Sequence, residues 1–545
     1  MPIKNLIGRG IGFSPGSIAY IVTHGLEPSP AAPVTALAVT LEMKFSGDAG
    51  AWTAVTADLR LNPNPVFTYG IGGNSPTDRM ASTGSFSFGM DNSEGNSAGL
   101  VGYYSPGHAN ARSGFELGIK VRLSLARAGT TYYKFVGRIV AINPVPGASG
   151  PRITLCSAVD WMDEAARYKL TGIATQTIQR SDELIDTIET AMVKGAEATS
   201  YDAAQLEYLY ALDDVRDEDT TALSALNRCV MSDLGILVLR GDTTQGGTLK
   251  YYDRRTRSNP GAALATINVQ QAMTVVRKRD NIRNRVNAIV HPRRVDADAT
   301  TVLYLLDQSN PPALAAGEEI TIIGQYTDPT LRASRVGGVD MVTPVADTDY
   351  AAGSGPGDTS LTADLGVVAS FTSNSVIWTL TNNGSSTIYV TLLQARGRGL
   401  YGYQPFAVRA TDSTSQDSFG EAVLTLDMPY ESREHVAKSI ADYYLSKYKD
   451  AANEIDSLTL RIADGSSLVT HALAREPGDL IEVTETVTAQ SGTDYFIQSV
   501  TIVLVAGSPA VIFDVTWLLA RRLDTASYWV LGTSDDLGTD TILGI

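Results

Sequence analysis

The sequence predicts a mainly β, multidomain protein with α/β parts: two β-barrel-like domains, an α/β domain and a small inserted β domain. The chain has 545 residues, which corresponds to about three to five domains. Apolar residues recur at every second position in many short segments, as in strands with one buried face. The 49 glycines and 24 tyrosines favour many strands joined by tight turns.

Residues 1–35 and 36–172 differ in their turn signals. We expect 1–35 to be an extended N-terminal arm, because glycines and prolines interrupt its short apolar groups. We expect 36–172 to be the first β-barrel, since apolar and polar residues alternate along segments that turn residues separate. The period of two predicts that six side chains point into one barrel core: Phe86, Phe88, Val121, Leu123, Val136 and Ile139.

Residues 173–275 change to helical spacing and are predicted to form an α/β domain. Leu184, Ile188 and Met192 mark one helix, which Ser181 or Asp182 can cap. A second helix follows a candidate cap at Asp219 and carries Leu223, Leu226 and Val230. The apolar residues 237–239 then return to strand spacing, and 249–252 are expected to be their hairpin partner.

The second half of the chain is predicted to contain four further parts. Residues 276–345 and 412–453 form a connecting β/α domain, with a helix marked by Val436, Ile440 and Tyr444. Residues 346–411 form an inserted small β domain, where Asn382-Asn383-Gly384 is expected to be a hairpin turn. Residues 454–525 form the second β-barrel, and 526–545 form a C-terminal tail.

The two barrel regions share an order of short motifs. The first has ELG at 116–118, GTTYY at 129–133 and FVGRIV at 135–140; the second has EPG at 476–478, GTDYF at 492–496 and IQSVTI at 497–502. One interpretation is that the chain carries two copies of one barrel, with the same strand order in both. The other is that any two hairpins share Gly-Thr turns and aromatic residues.

Composition narrows the classes of function. A net charge of −16 disfavours a DNA-binding surface, although it is compatible with a wall that DNA slides past. The two cysteines, Cys156 and Cys229, form no Cys-x-x-Cys pair, so we expect buried, reduced thiols and a reducing compartment of synthesis. No signal peptide and no membrane-spanning apolar segment are predicted.

Several sequence patterns are similar to catalytic or binding motifs, but the residues around them do not fit such sites. Gly12-Phe13-Ser14-Pro15-Gly16 matches a nucleophile elbow, but Pro15 has no N–H to donate to an oxyanion. The GRGLYG segment at 397–402 matches a dinucleotide fingerprint, but a β-like segment follows it where a helix is needed. The five histidines have no metal-ligand spacing: His24, His108, His291, His435 and His471.

Two charged clusters remain. The acidic run 213–219 lacks the glycine and glutamate of a calcium loop, so we expect a solvated loop leading into a helix. One basic cluster contains no interleaved aromatic residues, which favours a solvated or subunit-facing strand over a nucleic-acid site: Arg277, Lys278, Arg279, Arg283, Arg285, Arg293 and Arg294. No carboxylate pair stands out, so no catalytic, cofactor-binding or metal-binding residue is predicted and we expect no enzyme.

Several motifs carry a resemblance to a known family. They are ASTGSFSF at 81–88 leading to Asp91-Asn92, GIKVRL at 118–123, FVGRI at 135–139 and SAVDWMD at 157–163. Further along come the expected helix at 219–234, YYDRR at 251–255, REPGD at 475–479 and YWVLG at 528–532. In this order the chain resembles the tail-tip hub proteins of tailed bacteriophages, including the baseplate hub family, from about Ala36 to the C-terminus.

The resemblance implies a structural virion protein, made in the host cytoplasm and placed at the phage tail tip. It implies a homotrimeric ring that joins the tail tube to the tip, contacts distal tail, tape measure, tip or fibre proteins, and lets genomic DNA pass. The arm and the insert are not part of a minimal hub. A receptor- or carbohydrate-binding tail protein remains an alternative, with Trp378, Tyr389, Tyr401 and Tyr403 as candidate aromatics. A distal tail adaptor or a tail-tip cell-wall hydrolase is a further one.

Overall fold

The computed structural model describes residues 37–522, 527–528 and 541–542, apart from 148–150, 218, 259, 269, 271, 333, 356, 463–467 and 506–511. The fold is mainly β and multidomain, with several separate sheets. The predicted arm and most of the predicted tail lie outside the described residues.

The first part of the chain is a run of antiparallel strands that alternate buried and outward residues. Short 3-10 turns lie at Thr56–Asp58, Arg279–Asn281 and Thr362–Asp364. The strands are β1 (Ala38–Met43), β2 (Thr53–Ala54), β3 (Leu59–Arg60), β4 (Val66–Gly70), β5 (Ser82–Asp91), β6 (Lys120–Arg127), β7 (Thr130–Val145) and β8 (Ile153–Val159).

The α/β part follows. Its elements are α1 (Trp161–Arg167), β9 (Gln176–Arg180), α2 (Ser181–Thr190), β10 (Ala198–Tyr201), β11 (Glu207–Ala211), α3 (Ala222–Asp233), β12 (Ile236–Arg240), β13 (Thr248–Tyr252) and α4 (Arg254–Ser258). The predicted pairing of 237–239 with 249–252 is confirmed, because β12 and β13 are antiparallel neighbours.

Two helix caps differ from the prediction. Ser181 is the first helical residue of α2, and the side chain of Glu183 accepts the N–H of Arg180 before it at 2.8 Å. Helix α3 is capped by Thr221, whose hydroxyl accepts the N–H of Ser224 at 3.2 Å. The hydroxyl of Thr221 therefore takes the place expected for the carboxylate of Asp219.

The middle of the chain is again β. Its strands are β14 (Thr266–Ile267), β15 (Ala272–Val276), β16 (Arg285–Val290), β17 (Arg293–Val295), β18 (Thr301–Leu305), β19 (Ala313–Leu314), β20 (Glu319–Gln325), β21 (Gly337–Val339), β22 (Tyr350–Gly353), β23 (Leu365–Phe371), β24 (Ser375–Asn382), β25 (Ile388–Gly402) and β26 (Phe406–Thr411).

The last elements complete the chain. They are α5 (Ser413–Phe419), β27 (Val423–Met428), α6 (Glu434–Tyr448), β28 (Glu454–Ile462), α7 (Val469–Ala474), β29 (Leu480–Glu485), β30 (Gln490–Val505), β31 (Ile512–Arg521), β32 (Ser527–Tyr528) and β33 (Thr541–Ile542). The helix predicted from Val436, Ile440 and Tyr444 is confirmed as α6, and all three side chains are buried.

Strand pairing extends the inserted β region beyond its predicted range of 346–411. The long strand β25 pairs with β17, β18, β19, β21 and β22, so strands from 293 onward belong to the same pairing system. Strands β24 and β25 lie in different sheets, so Asn382-Asn383-Gly384 connects two sheets and is not a hairpin turn. Trp378 belongs to this region's own core.

One sheet joins the two barrel regions. Its strands follow the order β15-β28-β31-β30-β4-β5-β8-β7-β6-β1-β2, and β29 and β14 continue from β30. The first region orders its strands β5-β8-β7-β6 and the second orders them β28-β31-β30-β29. Numbered along the chain, both orders are 1-4-3-2. The predicted repeat of strand order is therefore confirmed.

Matching hydrogen bonds align the two repeats residue by residue. Gly118 N–H donates to the carbonyl of Ile139 at 2.7 Å, and Gly478 N–H donates to that of Ile497 at 2.7 Å. Both glycines have positive φ, +83° and +93°, which favours glycine there. Strands β7 and β30 each have 16 residues. Ile139 and Ile497 are therefore equivalent.

This alignment corrects one part of the motif comparison. The Glu-x-Gly motifs 116–118 and 476–478 are equivalent, as proposed. The Gly-Thr pairs are not, because Gly129 lies in the β6–β7 turn, whereas Gly492 lies inside β30. Gly129 lies ten residues before Ile139, whereas Gly492 lies five residues before Ile497, so the two glycines differ by five positions along equivalent strands.

Five of the six predicted core residues of the first barrel are confirmed. Phe86, Phe88, Val121, Leu123 and Ile139 belong to one core that both repeats share. Val136 is buried but packs outside that core, facing Gly246. Positions 135 and 139 of β7 point into the barrel, so the alternation sends position 136 to the opposite face.

Candidate functional site

The outward face of the shared sheet is rich in hydroxyl groups. Strand register aligns nine residues across it in one row. Threonine side chains touch within this row, with 2.9 Å between the hydroxyls of Thr68 and Thr501 and 2.9 Å between those of Thr459 and Thr516. The row is Ala272, Thr459, Thr516, Thr501, Thr68, Ser85, Val159, Arg138 and Lys120.

Charged side chains of this face lie towards its two ends and at the end of β5, where Asp91 contacts Arg60. On β31 and β28, Asp514 pairs with Arg461 at 2.8 Å. On β7, Arg138 pairs with Glu164 at 2.9 Å and also with Asp48. The strands between them present small hydroxyl and aliphatic residues: Ser499, Thr501, Val503, Val66, Thr68, Ser85, Ser87, Ser157 and Val159.

We name this outward surface of β28, β31, β30, β4, β5 and β8 the hydroxyl face. Its central residues are exposed or half-buried. Hydroxyl groups bind water well and carry no fixed charge, whereas strong attachment to phosphate groups needs lysine or arginine. The hydroxyl face can therefore border a wet channel without holding a polyanion.

The two repeats meet where β4 pairs with β30. In this antiparallel pairing Gly70 lies opposite Ser499, and Thr68 lies opposite Thr501. Backbone hydrogen bonds extend the junction at both ends, from Ile71 N–H to Gln498 O at 2.8 Å and from Leu504 N–H to Pro65 O at 2.9 Å. The sheet is thus continuous from one repeat into the other.

A buried carboxylate anchors this junction. Glu476 accepts hydrogen bonds from the hydroxyl of Tyr69 at 2.9 Å and from Gly241 N–H at 2.9 Å. The ammonium group of Lys134 contacts the same carboxylate and donates to Leu473 O at 2.8 Å. Burial and the neighbouring Glu476 hold the pKa of the Tyr69 hydroxyl well above its usual range. Both repeats and the α/β part therefore share one anchor.

Several strand edges of the sheet lack a strand partner in the described part of the chain, among them edges of β7 and β15. Strand β6 accompanies β7 only as far as Ile139, and 140–145 pair with β8 alone. Strand β15 pairs with β28 alone. Unpaired strand edges offer backbone N–H and C=O groups to another chain.

The sequence motifs examined for chemistry lie apart from this surface. Residues 397–402 belong to strand β25, so the dinucleotide motif is part of a strand. His291 lies 2.6 Å from Asp427 as an ordinary side-chain pair. No group of His, Cys, Asp and Glu able to hold a metal ion occurs among the described residues. The nucleophile-elbow match at 12–16 and His24 lie outside them.

The charged clusters are largely occupied by contacts within the chain. In the acidic run, Asp213 pairs with Arg293 at 2.9 Å and Asp214 with Arg228 at 2.7 Å. In the basic cluster, Arg285 contacts Glu421, and Arg294 lies 4.6 Å from the ring centre of Tyr401. The expectation of a solvated or subunit-facing position is therefore wrong for Arg293, which is half-buried and paired with the acidic run. Arg277 and Lys278 directly follow the open strand β15.

Both cysteines are buried and free, as the sequence predicted. Burial raises the pKa of the Cys156 thiol to about 12 and that of the Cys229 thiol well above its usual range. Neither thiol is therefore a nucleophile at neutral pH. No helix in the described ranges combines the length and apolar character that a membrane crossing requires.

The candidate aromatic residues of the inserted region do not form one platform. Trp378 is completely buried, and the hydroxyl of Tyr401 donates to Asp296 at 2.9 Å. Tyr403 is exposed, and Tyr389 is half-buried. A sugar-binding surface usually needs exposed rings side by side, and sequence spacing alone could not show which rings enter the core.

Comparisons with known proteins gave matches only among solved structures. No protein-family model matches the chain, and no curated protein matches its sequence. A tail protein from Neisseria meningitidis MC58 is 9% identical, with 89% of this chain and 96% of that one covered and a TM-score of 0.44. A 43 kDa tail protein of prophage MuSo2 from Shewanella oneidensis is 8% identical, with 88% and 98% covered and a TM-score of 0.44. The prophage tail protein gp18 from Listeria monocytogenes EGD-e is 7% identical, with 88% and 94% covered and a TM-score of 0.37.

Proposed function

We propose that this chain is a structural subunit of a bacteriophage tail tip, a hub or baseplate ring subunit that joins the tail tube to the tip. One observation carries the proposal: two repeats with the same strand order share one sheet, and the hydroxyl face of that sheet presents mainly hydroxyl and aliphatic side chains at its centre. The sequence motifs that resemble hub proteins point to the same class. The proposal rests on these features and not on the likeness to solved structures.

The repeat gives the ring its symmetry. Two equivalent modules in each chain yield six modules from three chains, so a homotrimer can match a tube of sixfold symmetry. The ring would contact other tail proteins, namely distal tail, tape measure, tip or fibre proteins. Its place would be the virion tail tip, after synthesis in the host cytoplasm.

The hydroxyl face is proposed to line the channel of the ring. Genomic DNA would pass along it without attachment, because a surface that neutralises few phosphates holds DNA weakly. The net charge of −16 also disfavours attachment of DNA, because it repels the phosphate backbone. The protein would therefore guide DNA by its shape and would perform no catalysis.

The receptor-binding alternative has less support in the chain. It requires an aromatic platform on the inserted region, and Trp378 lies in the core instead. Tyr403 remains exposed, but one ring on its own does not make a sugar site.

Electron microscopy and native mass measurement of the purified full chain test the proposal. We expect a closed ring of three chains with an open centre bordered by the hydroxyl face. A monomer at every concentration, or an open filament, would contradict it. Immunogold labelling of intact virions should place the protein at the tail tip, and labelling elsewhere would also overturn the proposal.

A hydrolysis assay tests the proposed lack of catalysis. Purified protein incubated with peptidoglycan should release no soluble fragments beyond a heat-denatured control. Release that disappears when one acidic residue is changed would show that the chain is a hydrolase.

A further inference from the structure

The two repeats use their matching edges differently. In the second repeat, β30 loses β29 at Ile497 and takes β4 as its new partner from Gln498 onward. In the first repeat, β7 loses β6 at the equivalent Ile139, and over 140–145 it takes no new partner among the described residues. One copy of the junction is therefore made within the chain, and its equivalent is left open.

The other half of the missing junction is also present. By strand order, β15 stands beside β28 as β4 stands beside β5. Strand β4 has a second partner, β30, whereas β15 has none among the described residues. In the part of the chain that the structure describes, β7 therefore has an open edge and β15 has the complementary one.

We infer that β15 of one copy pairs antiparallel with residues 140–145 of a second copy, and thereby repeats the β4–β30 junction between chains. This inter-chain junction, here called the seam, rests on the proposed function. It names the partner of the two edges as another copy of this chain. Head-to-tail contacts of this kind form a ring when the rotation closes.

The internal junction predicts the register of the seam. Val66 pairs with Ser87, and Thr274 pairs with the equivalent Ser457, so Thr274 takes the place of Val66. The pairing has a bulge at this point, but the extra residue, Asp456, lies on β28, so counting onward along β15 puts Val276 in the place of Thr68. In β7, Asn143 takes the place of Thr501, four residues past the reference isoleucine in both strands. Val276 of one chain should therefore lie opposite Asn143 of the next.

Charge favours this register. One residue beyond Val276, Arg277 takes the place of Tyr69, which bonds to Glu476 in the internal junction. The equivalent of Glu476 in the first repeat is Glu116, which is exposed and accepts the N–H of Leu117 at 3.0 Å. At the seam, a guanidinium group would face a carboxylate where the internal junction has a phenol and a carboxylate.

Exposed apolar side chains gather along the open edge of β7. Leu117 is 56% exposed, Val140 38% and Val145 37%. The position equivalent to Val140 is Gln498, which is only 4% exposed because β4 covers it. A second copy seated on the edge would remove the same surface from water.

Pro144 makes the seam weaker than the internal junction. It takes the place of Ile502, and the bonds at Gln498 and Leu504 show that even-numbered residues of β30 face β4. Proline has no N–H, so the seam lacks one donor at this position. A proline on an exposed edge also discourages pairing with unrelated strands.

The seam would make the sheet continuous around the ring. Eight strands of each chain, from β15 to β7, lie in this path. Three chains supply about 24 strands, which at about 4.8 Å each give a backbone circle roughly 37 Å across before strand tilt widens it. Such a circle admits one DNA duplex.

A disulfide at the seam tests the inference. In the internal junction Thr68 and Thr501 are opposite each other outside the hydrogen-bonded pairs, where side chains are closest. The equivalent pair is Asn143→Cys with Val276→Cys in the full chain. The matched control is Thr68→Cys with Thr501→Cys, which should form a disulfide within one chain. The native thiols are buried, and the single variants report any linkage through them.

After oxidation, we expect the seam variant to give linked species of two and three chains on a non-reducing gel. A native trimer that does not link, while the control does, would overturn the seam and leave the ring proposal standing. Linked species longer than three chains would support the seam and overturn the closed ring. A monomer with an internal 143–276 disulfide, or an unlinked monomer, would overturn the seam.

Charge exchange provides an independent test. Arg277→Glu should weaken assembly at least tenfold in the concentration at which trimers form. Adding Glu116→Arg to the same chain should restore most of the assembly, because each seam then again contains one acidic and one basic side chain with their positions exchanged. Loss without recovery, or no loss at all, would count against the proposed register. Circular dichroism of each variant shows whether the chain is folded.

Discussion

The hydroxyl of Tyr69 donates a hydrogen bond to Glu476 over 2.9 Å, across a sequence separation of 407 residues. The two residues belong to different repeats, and both are buried. Lys134 adds a buried cation to the same carboxylate. The join between the repeats therefore contains a charge pair that is protected from water.

Removing the carboxylate should destabilise the protein strongly. Glu476→Ala leaves Lys134 charged and buried without a counter-ion, which costs about 3–5 kcal/mol. The double variant Lys134→Met with Glu476→Gln should be destabilised less than Glu476→Ala alone. Calorimetry of the wild type and both variants gives their unfolding temperatures. An equal or larger fall in the unfolding temperature of the double variant would show that the ion pair is not what stabilises this site.

Stability should depend on pH through Asp160, which caps helix α1. Burial raises the pKa of the Asp160 carboxyl to about 7, above its usual value of about 3.9. The folded protein therefore holds a proton that the unfolded chain releases, and stability falls as pH rises from about 4 to about 7. Asp160→Asn keeps a capping side chain and should raise the unfolding temperature at pH 8 but not at pH 4. Asp450→Asn, at an exposed site, should show no such gain.

Truncating either of the two equivalent isoleucines should lower the free energy of unfolding by a similar amount. Ile139 and Ile497 are both completely buried in the shared core. Ile139→Ala and Ile497→Ala should each lower the free energy of unfolding by about 2–5 kcal/mol. Val487→Ala, at an exposed site between β29 and β30, should change it by less than about 0.5 kcal/mol. Denaturant titration measures all three, and a large loss at Val487 alone would contradict the packing.

Lysines on the hydroxyl face should turn the channel wall into a DNA-binding surface. Thr68→Lys with Thr501→Lys places two cations where the two repeats meet. The purified ring should then retain duplex DNA at low salt, and binding should weaken with salt by a slope of about 0.9 for each phosphate contacted. The wild type and the matched Thr68→Val with Thr501→Val protein should retain none. Equal DNA retention by the wild type would contradict a passive wall.

Restoring the missing donor at the seam should strengthen assembly. Pro144→Ile supplies an N–H, and one hydrogen bond contributes about 0.5–1.5 kcal/mol. Trimers should therefore form at roughly two- to tenfold lower concentration in analytical ultracentrifugation. Pro146→Ala, just past the end of β7, serves as the control and should leave that concentration unchanged. An unchanged concentration for the Pro144 variant would place this edge outside the interface, and weaker assembly would contradict the role given to the missing donor.

The sequence predicts those features that depend on local spacing. Phe86 and Phe88 alternate with serines, and such a pattern allows only one buried face, so their burial is confirmed. The prediction that Val136 points into the barrel core is wrong because Val136 lies three residues from Ile139. Strict alternation puts two residues at that spacing on opposite faces of a strand. The Gly-Thr match failed because hairpin length shifts residues along a strand without changing strand order.

The hydroxyl face could not be predicted from the sequence, because it depends on which strands become neighbours. Thr68 and Thr501 stand 433 residues apart, and nothing in their local sequence indicates that they touch. The open edges of β7 and β15 have the same origin. An edge is defined by a missing neighbour, and only the complete strand order shows which neighbour is missing.

The pairing of β4 with β30 also determines how the molecule would respond to mechanical load. Backbone hydrogen bonds and the Glu476 anchor bind the two repeats of one chain together, so each chain behaves as a stiff arc. A ring of three such arcs would have three compliant joints at the proline-containing seams. Radial pressure from inside would then open the ring at alternate boundaries, and it would dilate with threefold rather than sixfold symmetry.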